Sequence, residues 1–351
     1  MLESLLIMDI NQINDYIIES LESFCKSNDP ETSFKVSMPH VIHISEDEFS
    51  KINHSSVKYA PLKIAQLRFA VIEHNNSFYL YIIGTSNIEI ENQDFIPADI
   101  NNCLFLCIVK TAMLRIRNSK TVADITENIY PIEDGSDPGY ELDTILQLFE
   151  PFVVYKVPEQ DIKTEIALKT NIGKILLANQ DYIYLRFSER TMGSFSRYFD
   201  NGNYDDNMFN STLAYCWRYC FLDVYRCIEP FFRHMILYNL KNDIGYANSL
   251  EELYDRVAHH LNWKPNETTS MESLFQNHIP VELQQKIIDL NIGEAPDEKP
   301  GKSIYRLRNR IVHHQGVSSD IENLYTEDKW NLLVEYLIEA IIEFHKRFPL
   351  T

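Results

Sequence analysis

Near the start of the chain, apolar residues recur every three or four positions between polar ones. They are Ile10, Ile13, Ile17, Leu21 and Phe24. This spacing places one apolar face on an amphipathic helix, and Asp9 supplies a side chain suited to an N-cap. The pattern predicts a helix over residues 9–26.

Strand-like runs follow this first helix. Residues 68–74 and 77–83 are rich in β-branched and aromatic side chains and are separated by Asn75-Asn76. Asparagine tolerates the left-handed backbone that a two-residue hairpin turn requires, so this stretch predicts a β-hairpin. The same reasoning predicts a second hairpin, in which residues 173–178 pair with residues 182–187.

The distribution of these signals divides the chain. Residues 98–117 are apolar and predicted to be helical, and residues 133–139 form a turn-rich loop. After the polar, glycine-containing segment 200–206, strand signals nearly vanish. The fold class is therefore predicted to be α+β, with a mixed α/β N-terminal domain (residues 1–204) followed by an all-α helical bundle (residues 205–351).

Caps and apolar stripes mark the helices of the second half. Residues 207–241 form a long helical pattern that Pro230 breaks or kinks. Ser249–Glu252 and Thr269–Glu272 both match the capping box, in which Ser or Thr is followed three residues later by Glu. The remaining predicted helices are Val281–Leu290 and Glu327–Arg347.

The composition indicates a folded, acidic protein. Of 351 residues, 45% are apolar and 12% aromatic, and the formal net charge is -19. Such acidity disfavours a general nucleic-acid coat, which needs distributed Lys and Arg, and disfavours binding to anionic membranes. No apolar run of about 18 residues predicts a membrane span, and the N-terminus lacks signal-peptide features. We expect a cytoplasmic protein that engages no membrane.

The six cysteines are predicted to be buried free thiols. Two pairs lie four residues apart in apolar helical patterns, a spacing longer than that of most zinc-binding pairs. The sequence has no P-loop, no dinucleotide-binding glycine motif and no serine-hydrolase motif. We therefore predict no metal and no cofactor. The cysteines are Cys25, Cys103, Cys107, Cys216, Cys220 and Cys227.

Against this acidic background, the segment 303–316 concentrates positive charge. Arginine carries a permanent charge on a planar fork of donors that suits phosphate oxygens. Histidine has the unperturbed pKa nearest neutrality and moves protons readily. Together they are suited to binding or cleaving a phosphodiester. The basic residues are Arg306, Arg308, Arg310, His313 and His314.

Two interpretations of this basic cluster stay open at the level of chemistry. On a helix, Ile304, Leu307 and Ile311 would face the core with Val312 beside them, leaving the basic side chains outside. A run of charge is often only a solvated helix face. Paired histidines next to arginines are harder to explain that way and favour a functional site.

The spacing within the cluster resembles a known family. Arg308-Asn309-x-x-x-His313 matches the R-N-x₃-H form of the Rx₄₋₆H signature of the HEPN superfamily. Its surroundings look like the Abi-like and ApeA-type branches found in prokaryotic antiphage proteins. Upstream, Glu229 and Arg233 resemble the E-x₃-R element that many of these domains carry in their first long helices.

The resemblance implies a metal-independent RNA endonuclease that works as a homodimer, with one composite site at the interface. By carry-over, Arg308 binds and polarises the scissile phosphate, and Asn309 positions the phosphate or holds His313. His313 acts as general base or acid on the 2′-hydroxyl or the leaving 5′-oxygen, which gives a 2′,3′-cyclic phosphate and a 5′-hydroxyl. The implied setting is an antiphage or toxin-like effector, whose N-terminal domain senses a trigger that the sequence does not identify.

Supporting candidates share the neighbourhood. His314 also satisfies the spacing from Arg308, Arg306 is also correctly spaced from His313, and Arg310 lies between them. The chain has glutamine two positions after His313, where HEPN toxins silenced by nucleotidyltransferase partners carry tyrosine. This departure does not favour a partner of that type.

The remaining alternatives concern the roles of Glu229, of Arg233 and of the helical domain as a whole. Glu229 and Arg233, one helical turn apart, predict either a buried ion pair that holds two helices together or a supporting role at the site. The module as a whole is either a nuclease or a non-catalytic HEPN domain that dimerises or binds a nucleotide or RNA phosphate. A plain scaffold, whose basic face docks on acidic surfaces, is the third hypothesis.

Overall fold

The structure, a computed structural model, describes residues 10–31, 34, 41–42, 55–129, 140–202, 205–261, 266–293, 298–313 and 324–348. It confirms the α+β class: an N-terminal antiparallel sheet with helices is followed by a mostly helical C-terminal region. The chain comprises two compact units, Met1–Leu168 and Lys169–Thr351. The division into domains 1–204 and 205–351 stays a prediction.

The N-terminal unit is built on a five-stranded sheet in the order β1-β2-β3-β5-β4, with every neighbouring pair antiparallel. Its elements are α1 (Ile10–Asn28), β1 (Ser56–Ile64), β2 (Leu67–His74), β3 (Ser77–Ile83), β4 (Ile96–Pro97), α2 (Asn102–Ala112), α3 (Val122–Asn128), α4 (Leu142–Leu146) and β5 (Phe152–Val157).

The first helix and the first hairpin are confirmed. α1 buries Ile13, Ile17 and Leu21 completely, as the apolar periodicity predicts. β2 and β3 pair through a two-residue turn in which Asn75 and Asn76 have φ values of 50° and 54°. Both turn residues are thus left-handed, the conformation that a tight hairpin turn matching the strand twist requires.

The helix predicted over residues 98–117 is shorter than expected. The Asn101 side chain accepts a hydrogen bond from the Leu104 backbone N–H at 2.9 Å, so α2 begins only after this N-cap. Met113 adopts a left-handed φ of 48° and ends the helix. Ile116 then forms a β-bridge with Phe149 instead of continuing the helix.

The C-terminal unit is helical, and its described residues include no strand. Its helices are α5 (Glu165–Ala178, which begins in the N-terminal unit), α6 (Glu189–Asp200), α7 (Asp206–Leu213), α8 (Trp217–Arg226), α9 (Glu229–Ile244), α10 (Leu250–Leu261), α11 (Glu267–Asn277), α12 (Val281–Asp289), α13 (Pro300–His313) and α14 (Glu327–Arg347).

The second predicted hairpin is wrong. Residues 173–178 belong to α5, and residues 180–182 form a 3-10 turn. α5 buries Ile172, Ile175, Leu176 and Leu177 on several sides. A short run that is buried nearly all round has no clear period, so a helix and a strand look alike in the sequence.

Two helix starts also differ from the prediction. The capping box at Ser249 is confirmed on its serine side, because the Glu252 backbone N–H donates to Ser249 Oγ at 3.1 Å. At α11, however, the N-cap is Asn266, whose Oδ1 accepts from the Thr269 N–H at 3.0 Å. Thr269 therefore lies inside the helix, and its predicted capping box is wrong.

The long pattern over residues 207–241 resolves into α7, α8 and α9. Pro230 lies in the first turn of α9, where a missing N–H costs nothing because the first amides of a helix have no intrahelical acceptor. The predicted break is therefore real, and it is a helix start. α12 and α14 match their predicted ranges closely.

α14 is tied to α6 by one buried amide. Asn331 Oδ1 accepts hydrogen bonds from the Ser188 backbone N–H at 2.8 Å and from Thr191 Oγ1 at 3.0 Å. Its Nδ2 donates to the Arg186 carbonyl at 3.1 Å. Every polar atom of this side chain is thus satisfied in the core, which fixes how the last helix packs.

The cysteine prediction holds for the thiols themselves. All six lie within the described residues and are reduced thiols, and five are buried, while Cys216 is half-buried at the N-cap of α8. Burial raises the pKa of Cys107 to about 12, which keeps this thiol protonated and unreactive at neutral pH. Within the described part of the chain, no helix is both long and apolar enough to cross a membrane.

Candidate functional site

The basic cluster lies on α13, which packs through one apolar face. Ile304, Leu307 and Ile311 are buried, as predicted. Val312, in contrast, is 49% exposed and does not join the core. Apolar residues at i, i+3 and i+7 define a single stripe, and this stripe orients the helix so that the basic side chains lie on its flanks and outer face.

A glycine brings α13 against α11. A Cβ added at Gly301 would lie 2.3 Å from the Met271 carbonyl oxygen, far closer than atoms of these types approach. Only glycine permits the two backbones to come this close. The lack of a side chain at position 301 therefore allows the first turn of α13 to pack directly against the α11 backbone.

Arg308 is held on three sides. Its Nη1 donates to Asn309 Oδ1 at 2.9 Å, and its Nη2 lies 3.9 Å from Glu229 Oε1 on α9. Its guanidinium carbon lies over the Tyr225 ring of α8, 5.7 Å from the ring centroid. The side chain nevertheless stays 23% exposed, so an oriented cation faces both protein and solvent.

Burial and the neighbouring Arg308 charge shift the pKa of the Glu229 carboxyl in opposite directions. Burial raises its pKa above the usual value, the nearby Arg308 guanidinium lowers it, and Glu267 raises it further, with burial the largest effect. Burial outweighs the attraction of Arg308, so Glu229 is less acidic than an exposed carboxyl. Glu229 orients Arg308 without fully cancelling its charge.

Tyr225 forms the floor beneath Arg308. The residue is 1% exposed, and its hydroxyl has no hydrogen-bond partner among the described residues. Burial raises the pKa of this phenol well above its usual value, so it remains neutral. The ring presents its negative face to the guanidinium, a favourable cation–π arrangement.

His313 is the last residue of α13, and its side chain is exposed. It lies five positions after Arg308, which on a helix corresponds to about 7.5 Å along the axis and about 140° of rotation. Among the described residues, no hydrogen bond orients its ring. The fold therefore orients Arg308 through three neighbours and leaves His313 at the surface.

The other basic residues behave differently. Arg306 forms an ion pair with Glu298, whose side chain is 4% exposed, and Lys302 Nζ lies 3.8 Å from the same carboxylate. Arg306 is therefore committed to holding the start of α13. Arg310 is exposed, and His314 lies outside the described residues.

Glu229 and Arg233 do not pair with each other, so the predicted ion pair is wrong. Glu229 faces Arg308, while the Arg233 guanidinium stacks on Tyr254 of α10 at 4.3 Å from the ring centroid. The two residues lie one turn apart on α9, and their side chains contact different neighbouring helices. The structure thus brings Glu229 to the candidate site and takes Arg233 away from it.

Two residues of the site's surroundings were missed by sequence reasoning. Tyr225 supports Arg308, and Glu298 holds Arg306. Tyr225 stands one turn before Glu229, and a search for polar residues at that spacing would have found it. Glu298 precedes α13 in a loop, and nothing in its local pattern signals burial.

The described residues contain no group of three His, Cys, Asp or Glu side chains placed to hold a metal ion. Comparisons with protein-family models, with curated proteins and with solved structures find no match to this chain. The resemblance to HEPN domains therefore rests on the sequence motif alone, and function has to be argued from the site.

Proposed function

We propose that the helical region is a metal-independent RNA endonuclease of the HEPN type, in which Arg308, Asn309 and His313 carry the chemistry. One observation supports this most directly. Arg308 is oriented by Asn309, Glu229 and Tyr225 and is still partly open to solvent. A preorganised cation aimed at solvent is what binding and polarising a phosphate requires.

The proposed reaction uses the substrate's own nucleophile. His313, acting as general base, takes the proton from the RNA 2′-OH, whose oxygen attacks the adjacent phosphorus. Arg308 stabilises the negative charge that develops on the phosphoryl oxygens. A general acid protonates the departing 5′-oxygen. The products are a 2′,3′-cyclic phosphate and a 5′-hydroxyl.

The second proton carrier is proposed to come from a second copy. His313 ends α13 and is exposed, so it is accessible to a second copy. In a two-fold dimer the same surface meets itself, so each copy would supply one His313. One imidazole then acts as base and the other as acid.

The acidity of the chain is consistent with RNA binding only at a small part of the surface. With a formal net charge of -19, most of the surface repels RNA. Binding would then depend on reaching the small basic surface of α13. The N-terminal unit is proposed to sense a trigger, in a cytoplasmic protein of antiphage or toxin-like function, as the resemblance implies.

A non-catalytic module that binds RNA or nucleotide phosphate is the second candidate. The observation that favours it is the lack of any described hydrogen bond to the His313 ring. A general base usually needs a neighbour that fixes its orientation. If no second copy supplies one, Arg308 binds phosphate without cleavage.

The test compares wild-type protein with Arg308→Ala, His313→Ala and Arg186→Ala. Arg186 is an exposed arginine that pairs with Asp181 on the surface, so its loss controls for charge. Each protein is incubated with total cellular RNA in EDTA, and the ends of any fragments are analysed. We expect cyclic-phosphate ends from wild type and Arg186→Ala, and intact RNA from the other two.

Measurements of RNA binding distinguish the endonuclease from the binding-only module. RNA binding without cleavage by wild type, retained in His313→Ala and lost in Arg308→Ala, would establish the binding-only module. Wild-type protein that neither binds nor cleaves RNA, as a monomer and at concentrations where light scattering detects a dimer, would contradict both.

A further inference from the structure

A second site is suggested by a cleft next to α9. The cleft has a volume of about 790 Å³ and lies between α9 and α10, with Phe348 beyond the end of α14 on its wall. Neither Arg308 nor Glu229 lines it. This volume is within the range of about 300–1,000 Å³ that small-molecule sites occupy.

The α9 wall of the cleft is basic. Arg233, Leu237 and Lys241 lie one turn apart on one face of α9, and His234 lies beside them. Among the described residues, neither Arg233 nor Lys241 forms an ion pair with a carboxylate. Two cations without a protein counter-ion, spaced about 12 Å apart along the helix, face the same space.

His234 adds a defined hydrogen-bonding atom. Its Nδ1 lies 3.2 Å from the Pro230 carbonyl oxygen. A carbonyl only accepts, so Nδ1 carries the proton in this contact. When the ring is neutral, Nε2 is therefore left as an acceptor for a hydroxyl or amino group of a ligand.

The α10 wall is acidic. Glu251 and Asp255 line it one turn apart, and neither forms an ion pair with another described residue. The cleft thus has carboxylates opposite cations that they do not neutralise. A ligand that fits must offer negative charge to one wall and hydrogen-bond donors to the other.

Aromatic rings complete the cleft. Tyr254 carries the Arg233 guanidinium on its face at 4.3 Å. Tyr238 and Phe348 pack edge to face with centroids 5.6 Å apart, and Tyr238 is 40% exposed. The partly exposed Tyr238 ring, supported by the buried Phe348 ring, offers stacking surface to a planar ligand.

We propose that this cleft binds a nucleoside monophosphate. The phosphate would bind Arg233 or Lys241, the ribose hydroxyls would donate to Glu251 or Asp255, and the base would stack on Tyr238. The basic, acidic and aromatic groups of the cleft would then each contact a different part of one ligand. A simple anion would leave the carboxylates facing it, and an apolar ligand would leave all four charges unpaired.

The experiment measures binding by isothermal titration calorimetry to the full chain, without RNA, so its outcome is independent of the proposed nuclease. The probes are AMP, GMP, CMP and UMP, with inorganic phosphate and the free nucleosides for comparison. We expect at least one nucleotide to bind at least tenfold more tightly than phosphate and than its own nucleoside, since each lacks one set of contacts.

Variants locate the site. Lys241→Gln should weaken nucleotide binding about tenfold, the effect of losing roughly one charge-assisted hydrogen bond, and should leave nucleoside binding unchanged. Tyr238→Leu should weaken both. Lys26→Gln, which removes the same charge from exposed Lys26 on α1, is the matched control, and thermal melts check that each variant folds.

Several results would overturn the proposal. Phosphate that binds as tightly as every nucleotide would make the cleft an anion site only. Nucleotide binding unaffected by both Lys241→Gln and Tyr238→Leu would place the ligand elsewhere. Absence of binding by all four nucleotides at millimolar concentration would leave the cleft without this ligand class.

Discussion

Arg308 on α13 and Glu229 on α9 face each other, with Nη2 and Oε1 3.9 Å apart. This separation exceeds the ~3.2 Å typical of an N–H···O hydrogen bond, so the contact is electrostatic and loose. It orients the guanidinium while leaving donors available on its exposed edge. Arg308 is therefore oriented by this contact and still 23% exposed.

The first prediction concerns Glu229 and pH. Because burial raises the pKa of Glu229, the folded protein holds this proton more tightly than the unfolded chain does. Its contribution to stability therefore falls as pH rises from the usual carboxyl range through the folded pKa. Glu229→Gln should be more stable than wild type at pH 7, by less than about 1 kcal/mol after solvent screening, and the difference should shrink towards pH 4.

We expect the opposite effect on stability for a control variant at Glu252. Hydrogen bonding to Arg256 lowers the pKa of Glu252, so that carboxylate stabilises the fold above its usual pKa. Glu252→Gln should lose stability relative to wild type as pH rises. Urea unfolding at several pH values measures both, and a Glu229→Gln protein less stable than wild type at pH 7 would contradict the account of this site.

The second prediction separates charge from geometry at Arg308. Arg308→Lys keeps one positive charge and loses the planar fork that bonds Asn309 and lies over Tyr225. If the site cleaves RNA, the cleavage rate should fall about 10- to 100-fold, while RNA affinity should fall less. Arg186→Lys on the surface should change neither, and an Arg308→Lys enzyme with wild-type activity would show that charge alone is enough.

The third prediction concerns the close contact of α13 with α11. Gly301→Ala places a methyl group against the Met271 backbone and should destabilise the protein by about 1–3 kcal/mol, the usual cost of overpacking. Gly193→Ala on α6 is the control. A Cβ there meets nothing within 4 Å, so this change should stabilise by about 0.4–1 kcal/mol. Chemical denaturation of both variants checks the pair.

The fourth prediction concerns the unpaired Tyr225 hydroxyl. Tyr225→Phe removes a buried polar atom that has no described partner and keeps the ring beneath Arg308. Stability should be unchanged or higher, because no protein hydrogen bond is lost. Tyr225→Leu, which also removes the ring, should destabilise the fold and weaken RNA binding. Loss of more than about 1 kcal/mol in Tyr225→Phe would reveal a hydrogen bond to that hydroxyl.

Part of this architecture was predictable because it is local. The last helix, Glu327–Arg347, combines a Thr326 N-cap with a continuous apolar stripe, and both signals lie within a few residues of the atoms they control. The Asn75-Asn76 turn is equally local. Strand β5, by contrast, was not predicted, because its partner β3 is distant in sequence. Strand β1 was also missed although its partner β2 follows directly, because Pro61 weakens its strand signal.

What the sequence by itself determined is the α+β class, the position of most C-terminal helices, and the concentration of Arg308, Asn309 and His313 on one of them. Spacing and capping act between near neighbours, so they can be read along the chain. Tertiary structure alone decided that Glu229 turns to Arg308 while Arg233 turns to Tyr254. It decided this because the neighbours come from three separate helices, and only their packing, with Gly301 allowing α13 to approach α11, brings those side chains together.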